Sequence, residues 1–180
     1  MTLQSIAREI FNVLDIRKEK LVLAESCTSG GLVYHLGLMP GISRVLCGSA
    51  VVYRSDSKNK WLGISKNTMQ KFTTESQEIA EAIASGVLSK TPEATWSLGI
   101  VGHMGPNAPE NKSGMIYFAI CRRTKKNNIK ICLSQTYKLS SSTRQNRIKE
   151  ACEVALTYFA RNLQQKKQKE DKVAESITCE

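Results

Sequence analysis

The spacing of apolar residues in the first part of the chain predicts alternating helices and strands. Residues 3–14 place apolar side chains on one helical face, and Leu21 to Ala24 is a short apolar run typical of a strand. A turn of small and polar residues at 25–31 leads into an apolar helix from Leu32 to Leu38, which Pro40-Gly41 ends. The predicted layout is helix, strand, turn and helix.

The same alternation continues to residue 163. The further elements expected are a strand at Val45 to Tyr53, a helix at Thr74 to Leu88, strands at Thr95 to Val101, Gly114 to Cys121 and Ile129 to Tyr137, and a helix at Ser142 to Leu163. The last two strands are joined by a basic turn and predict an antiparallel hairpin. Helices and strands that alternate ahead of a hairpin predict a three-layer α/β/α domain with a mixed sheet over residues 1–163. Residues 164–180 are polar and lack a core pattern, so we expect a disordered tail.

The length and the apolar content of the chain are typical of a globular protein. A chain of 180 residues can bury the core of one domain without metal or disulfide staples. No apolar run approaches the roughly 20 residues of a membrane-spanning helix. The N-terminus mixes charges of both signs, unlike a secretory signal. We therefore expect a soluble, cytoplasmic protein without a membrane partner.

The cysteines do not form a recognisable ligand or disulfide pattern. The chain has six, at positions 27, 47, 121, 132, 152 and 179, without any C-x-x-C pair. Several lie in apolar stretches, where free cysteine behaves as a small hydrophobic residue. The sequence supports neither a disulfide framework nor a zinc site, and it implies no metal and no organic cofactor.

The net charge of +10 is compatible with a nucleic acid, a membrane surface or an anionic small molecule as partner. Much of the charge lies in two clusters, at 122–126 and 166–169. Neither cluster interleaves aromatic residues that could stack on bases. A solvated hairpin and a solvated tail are therefore favoured over a nucleic-acid site.

The most informative chemistry lies at Ala24-Glu25-Ser26-Cys27-Thr28. A serine where a strand turns into a helix start lies beside unpaired backbone N–H groups, which could hold a phosphate or a developing oxyanion. Serine is a poor nucleophile unless a base takes its proton. The two histidines, His35 and His103, offer no Ser-His-Asp pattern, which leaves lysine as the other known partner.

A tyrosine and a lysine at the end of the strand Val45 to Tyr53 are candidates for that role. Tyr53-Arg-Ser-Asp-Ser-Lys58 would place Lys58 where desolvation lowers its pKa toward the range of a useful base. Spacing alone favours a plain surface lysine and a strand tyrosine, and a Ser-Lys-Tyr arrangement is the alternative. Cys27 could form a thiolate at a helix N-terminus, and Glu25 could be an acid or base or only a capping charge.

Several short motifs in a fixed order favour the catalytic alternative, the Ser-Lys-Tyr arrangement. They are A24-E-S-C-T28 with Gly30, Pro40-Gly41 with Ser43, Tyr53 with Lys58, Gly63, Gly102 with Gly105-Pro106, and Gly114. In this order and spacing the chain resembles the CinA C-terminal domain family from about residue 5 to residue 163. The activity characterised in that family is hydrolysis of the amide of nicotinamide mononucleotide.

The resemblance implies roles for individual residues. Ser26 would be the nucleophile, with Lys58 and Tyr53 carrying its proton, and the acyl-enzyme would be hydrolysed by water. Substrate contacts would fall on a second set of positions: Cys27, whose backbone N–H is available, Thr28, Gly30, Gly41, Gly102, Gly105 and Arg144. An arginine before the last helix suits a bidentate phosphate contact. Family members commonly form at least dimers, so we expect a homodimer or a higher homo-oligomer.

The chain departs from the family pattern at two places. The family has Thr or Ser followed by G-I-A-G-P, whereas this chain has Val101-Gly-His-Met-Gly-Pro106 and a shorter loop, so a substrate-contacting hydroxyl is missing at Val101. His103, introduced by this loop, is either a substrate contact or a bystander. The glycine before the arginine is also replaced, in Ser141-Ser-Thr-Arg144, where bulkier residues could narrow a phosphate pocket.

These departures leave three hypotheses for function. The first is an amidohydrolase that acts on nicotinamide mononucleotide and returns it to NAD synthesis. The second is a nucleotide-binding module of the same fold that has lost turnover or changed its specificity. The third, a basic DNA-associated accessory protein, is unsupported by any groove-reading motif and would require a steep salt dependence of DNA binding.

Overall fold

Alternating helices and strands make up the chain, as the sequence predicts. The structure is a computed structural model that describes residues 2–105 and 108–177, with side chains through residue 165. The helices are α1 (Leu3–Arg17), α2 (Gly31–Gly37), α3 (Ser55–Leu62), α4 (Lys66–Phe72), α5 (Gln77–Lys90) and α6 (Arg144–Ile177), with a short 3-10 helix at Ile42–Arg44. The strands are β1 (Leu21–Glu25), β2 (Leu46–Val51), β3 (Trp96–Gly102), β4 (Met115–Arg123) and β5 (Ile129–Lys138).

The strands form one mixed sheet in the order β2-β1-β3-β4-β5. Strand β1 is parallel to β2 and to β3, whereas β4 is antiparallel to both of its neighbours, β3 and β5. The predicted mixed sheet and C-terminal hairpin are therefore confirmed. The chain leaves β1 for β2 on one side and later reaches β3 on the other, so the strand order reverses at β1. In open α/β sheets, ligands bind in the crevice at the carboxyl ends of the strands at such a point.

Helices cover both faces of the sheet, which confirms the three-layer architecture. Helices α1, α2 and α6 pack together on one face, and α3, α4 and α5 pack on the other. Each face of the sheet has its own hydrophobic core. In the core beneath α1, α2 and α6, the Trp96 and Phe159 rings meet edge to face at 6.0 Å. Gly99 on β3 lets α5 approach closely, since a Cβ there would lie 2.7 Å from the Ala80 carbonyl oxygen. These two cores fix the strand ends that carry the site.

Two parts of the chain differ from the sequence prediction. Helices α3 and α4 were not predicted, because their polar sequences expose most positions and bury only Lys58, Leu62 and Met69. The backbone of α6 stays helical through Ile177, although a disordered tail was expected from residue 164. Lys, Glu and Gln are strong helix formers, and extending a helix already packed on the core requires no new nucleation.

Two of the four basic residues in the cluster on the β4–β5 hairpin are bound to the protein itself. Arg122 donates to Glu19 Oε1 at 2.8 Å and stacks over Trp96. Arg123 donates to the carbonyl oxygens of Ala94 and Leu88. The expectation of a solvated hairpin therefore holds only for its tip, where Lys125 and Lys126 are exposed.

Candidate active site

The turn after β1 is built around the buried carboxylate of Glu25. Its two oxygens accept hydrogen bonds from the Thr28 hydroxyl at 2.8 Å, the Leu32 and Val33 N–H groups at 3.0 Å, and the Ser49 hydroxyl at 2.9 Å. Glu25 is thus the capping charge of α2, and it satisfies N–H groups that would otherwise be orphaned. The hypothesis that the start of α2 offers open N–H groups is wrong for Leu32 and Val33.

Ser26 and Lys58 lie in contact at the carboxyl end of β1. The Ser26 N–H donates to the Ile100 carbonyl oxygen of β3 at 3.1 Å, which fixes the residue at the strand end. Lys58 Nζ donates to Ser26 Oγ at 3.2 Å. Ser26 is 5% exposed and Lys58 is fully buried. The lysine comes from helix α3 rather than from the strand end proposed from the sequence, so a missed helix supplies the predicted partner.

The surroundings of Lys58 lower the pKa of its amine. Burial lowers the pKa of Lys58 below its usual value of 10.5, because removal from water disfavours the ammonium ion. The carboxylate of Glu75 raises the same pKa, but burial is the larger effect. A neutral lysine amine hydrogen-bonded to a serine oxygen can remove that serine's proton.

A cavity of ≈ 370 Å³ opens beside this pair at the switch point of the sheet. Its lining residues come from the ends of β1, β2 and β3, from the loop before α5 and from the start of α6: Ser26, Cys27, Tyr53, Glu75, Gly102, His103, Met104, Gly105, Ala108, Pro109 and Arg144. At this rim, Arg144 Nη2 donates to the Tyr53 hydroxyl at 2.7 Å. Tyr53 lines the cavity, but its hydroxyl is hydrogen-bonded to Arg144 rather than to Ser26 or Lys58.

The loop after β3 forms a second wall of the cavity. His103 lies edge to face with Tyr117 at 6.5 Å, and its Nε2 is buried without a hydrogen-bond partner among the described residues. Val101 stands where the family has Thr or Ser. Its apolar side chain is fully buried in the core and supplies no hydroxyl. Gly102 is required by close packing, since a Cβ would lie 2.6 Å from the Met115 carbonyl oxygen. Pro106 of the predicted motif lies outside the described residues.

Three predicted substrate contacts lie away from this cavity. Gly41, with φ +80°, precedes β2 and is therefore at the amino end of the parallel strands, opposite Ser26, beside the side chain of Arg44. The Thr28 side chain is buried, and its hydroxyl donates a hydrogen bond to Glu25. Gly30, with φ +94°, and Thr28 line a neighbouring cleft against the first turn of α6. Motif spacing alone did not indicate which sheet edge each position reaches.

Cys27 carries a buried thiol. Burial raises its pKa above the usual range, so the thiolate is disfavoured. Among the residues that the structure describes, the backbone N–H groups of Cys27 and Thr28 donate to no backbone carbonyl. They follow Ser26 directly in the chain, which makes them candidates for donors to an oxyanion.

Sequence reasoning missed Glu75, the carboxylate in this cavity. It precedes Ser76, which caps α5, and its Oε2 accepts a hydrogen bond from the Thr74 hydroxyl at 2.6 Å. Thr74-Glu75 resembles a helix start, so the sequence pattern indicated only a cap. Only the fold brings this loop to the Ser26 pocket.

Larger grooves in the structure lack this combination of groups. A groove of ≈ 630 Å³ between β5 and α6 is lined by Tyr137, Thr157, Arg161 and their neighbours. Its described lining residues include no buried serine that is hydrogen-bonded to a lysine. Within residues 2–105 and 108–177, no three His, Cys, Asp or Glu side chains are grouped to hold a metal ion. No helix in the same described part combines the length and the apolar character needed to cross a membrane.

Comparison with protein families finds a match over most of the chain. The model of the CinA C-terminal domain matches residues 3–163. A CinA-like protein from Myxococcus xanthus is 38% identical over 102 residues, covering 56% of this chain and 24% of that protein. A CinA-like protein from Prochlorococcus marinus (strain MIT 9301) is 39% identical over 121 residues, covering 66% of this chain and 28% of that protein. The chain spans about a quarter of the length of these curated relatives.

Solved structures show the same fold. The competence damage-inducible protein A (ComA) of Klebsiella pneumoniae superposes with a TM-score of 0.82 over 91% of this chain and 98% of that chain, at 20% identity. At this identity, the similarity supports the three-layer architecture and the sheet topology alone.

Proposed function

The chain belongs to the CinA C-terminal domain family, and on that premise we propose that it is a serine amidohydrolase that deamidates nicotinamide mononucleotide. The products are nicotinic acid mononucleotide and ammonia. The observation that carries the proposal is the hydrogen bond of 3.2 Å between Lys58 Nζ and Ser26 Oγ, which are both buried, with Ser26 lining the cavity. A surface lysine usually buries only its aliphatic chain and keeps its ammonium group in water. Its nitrogen would not be hydrogen-bonded to a serine at the end of a strand.

The first step forms an ester on Ser26. Neutral Lys58 takes the proton of the Ser26 hydroxyl while Oγ attacks the carboxamide carbon. The carbonyl oxygen becomes an oxyanion, which the N–H groups of Cys27 and Thr28 stabilise. The carbon–nitrogen bond then breaks, the protonated lysine returns its proton to the nitrogen, and ammonia leaves.

The second step restores the enzyme. Lys58 takes a proton from water, whose oxygen attacks the ester carbon. The bond to Ser26 Oγ breaks and the serine regains its proton, which leaves a carboxylic acid in place of the amide. Atoms balance as one water consumed and one ammonia released, so the cycle requires no cofactor.

The remaining lining residues suit a nucleotide. Arg144 carries a guanidinium at the cavity rim, where it can bind a phosphate group with its hydroxyl partner Tyr53. The unpartnered Nε2 of His103 gains a hydrogen-bond partner when a polar ligand enters. We assign Tyr53 a supporting role, in which its hydroxyl holds Arg144 at the cavity rim.

A nucleotide-binding module without turnover is the second candidate. The observation that favours it is the buried Val101 side chain, which supplies no hydroxyl where the family contacts its substrate. Such a protein would be stabilised by nicotinamide mononucleotide in a thermal shift without forming product.

Ammonia and nicotinic acid mononucleotide are measured together from nicotinamide mononucleotide. Wild type should release both in equal amounts, and Ser26→Ala should lose about a thousandfold or more of the rate. Ser55→Ala removes an exposed serine at the start of α3 and is the matched control, with turnover unchanged. Wild type that binds the nucleotide without forming product would refute catalysis and support the binding module.

A further inference from the structure

Glu75 has no role in the reaction described above, although its carboxylate lines the same cavity as Ser26. Resting on the proposed function, we propose that Glu75 is a specificity-determining residue, whose charge selects substrates with a positively charged ring next to the amide. Nicotinamide mononucleotide has such a ring, since its pyridinium nitrogen is cationic and its phosphate is anionic. The cavity would thus recognise a dipolar ligand with one charge at each end.

The two charges of the cavity wall come from different elements. Among the described residues that line it, Glu75 is the acidic one and Arg144 is the permanently basic one. Arg144 lies at the rim, hydrogen-bonded to the Tyr53 hydroxyl. Glu75 is close enough to Lys58 to raise the pKa of the lysine. Because Lys58 is hydrogen-bonded to Ser26, Glu75 lies toward the nucleophile end of the cavity.

The chemistry of the amide fixes which part of the ligand lies at that end. The carboxamide carbon must approach Ser26 Oγ, and the ring is bonded directly to this carbon. The ring is therefore the part of the ligand brought toward Glu75, while the phosphate extends toward Arg144. A carboxylate attracts a pyridinium ring and disfavours a phosphate, so it also enforces this orientation.

The carboxylate of Glu75 is not held in a close ion pair with any described residue, although it is near enough to raise the pKa of Lys58. Its polar contact is the Thr74 hydroxyl at 2.6 Å, and the ion pairs found among the described residues do not include it. A half-buried carboxylate outside any close ion pair gains a favourable interaction when a cation enters the cavity. A purely structural acid on this loop would instead pair with a basic side chain or cap α5, and Ser76 already provides that cap.

The test compares two ligands that differ in ring charge. Nicotinamide mononucleotide and its reduced dihydropyridine form share the amide, the ribose and the phosphate, but the reduced ring is uncharged. Their Kd values are measured by calorimetry on protein with Ser26→Ala, which prevents turnover during the titration. Glu75→Gln is then added, and Glu78→Gln is the matched control because Glu78 is an exposed carboxylate on the first turn of α5.

We expect Glu75→Gln to weaken binding of the cationic nucleotide about tenfold, as one lost charge contact in a partly buried site does. Binding of the reduced nucleotide should stay unchanged or tighten, and Glu78→Gln should alter neither. An equal loss for both ligands, or no loss for either, would overturn the assignment of Glu75. Ser26→Ala protein that binds neither nucleotide would refute the proposed function itself, and with it this inference.

Discussion

Replacing Lys58 by methionine is expected to stabilise the fold while it abolishes amide hydrolysis. Lys58 is fully buried on α3, and its amine is hydrogen-bonded to Ser26 Oγ. Methionine has a similar length and flexibility, so it can follow the path of the lysine stem without a large cavity. The variant removes the amine and keeps the packing.

The magnitude follows from the burial of an amine that has no carboxylate in contact. Well-packed apolar replacements of buried charged groups often stabilise proteins by 1–4 kcal/mol, so we expect about 1–2 kcal/mol after loss of the hydrogen bond to Ser26. Ser26 Oγ faces the cavity, where water can replace the lost partner. For a chain of this size, each kcal/mol raises Tm by roughly 2–4 °C.

The gain in stability should depend on pH. Burial lowers the pKa of folded Lys58 below the usual value of 10.5 that applies in the unfolded chain. Between these two pKa values the unfolded chain binds more protons, so wild-type stability rises with pH across that window. Methionine does not titrate. The advantage of Lys58→Met is therefore complete below the folded pKa and shrinks as the pH approaches 10.5.

The assay is urea unfolding at several pH values, together with ammonia release from nicotinamide mononucleotide. Lys60→Met removes an exposed lysine from the same helix and should change stability by less than about 0.5 kcal/mol. A Lys58→Met variant that is clearly less stable than wild type, or one that keeps wild-type turnover, would refute the reasoning that Lys58 is a destabilising catalytic base.

Three further predictions concern neighbouring residues. Glu25→Gln should lower the free energy of unfolding by about 3 kcal/mol in a urea titration, because the amide NH₂ would face two of the buried donors that the carboxylate now accepts. Cys27→Ala should keep turnover within a few-fold of wild type, since the thiol is buried with a raised pKa; a loss as large as that of Ser26→Ala would assign the nucleophile to the thiol. Arg144→Lys should raise KM for the nucleotide about tenfold with little effect on kcat, because lysine cannot form the bidentate phosphate contact.

The strand–turn–helix unit of the site could be predicted because its pattern is local. Apolar strand β1, the small turn and the stop at Pro40-Gly41 each have a direct sequence signature. Ser26 and the C-terminal hairpin were placed correctly for this reason. The contact between Ser26 and Lys58 came from family resemblance, since the polar helix α3 that carries the lysine has no clear apolar stripe.

The residues that sequence reasoning missed or misplaced depend on tertiary packing. Glu75 lies on a loop whose sequence looks like a helix cap, and only the docking of α5 on the sheet brings it to the cavity. Gly41 lies at the opposite edge of the sheet, because the parallel pairing of β1 with β2 sends the preceding turn there. Which edge a loop reaches is decided by strand direction, and short motifs do not encode it.

The nucleophilic role of Ser26 is tested most directly by turnover in the presence of hydroxylamine. A covalent acyl-enzyme on Ser26 partitions between water and hydroxylamine, so wild type should form the hydroxamate at the expense of nicotinic acid mononucleotide while it releases ammonia. A folded Ser26→Ala variant should form neither product. Ammonia release at the wild-type rate by Ser26→Ala, or wild-type turnover that yields no hydroxamate at any hydroxylamine concentration, would contradict the serine mechanism.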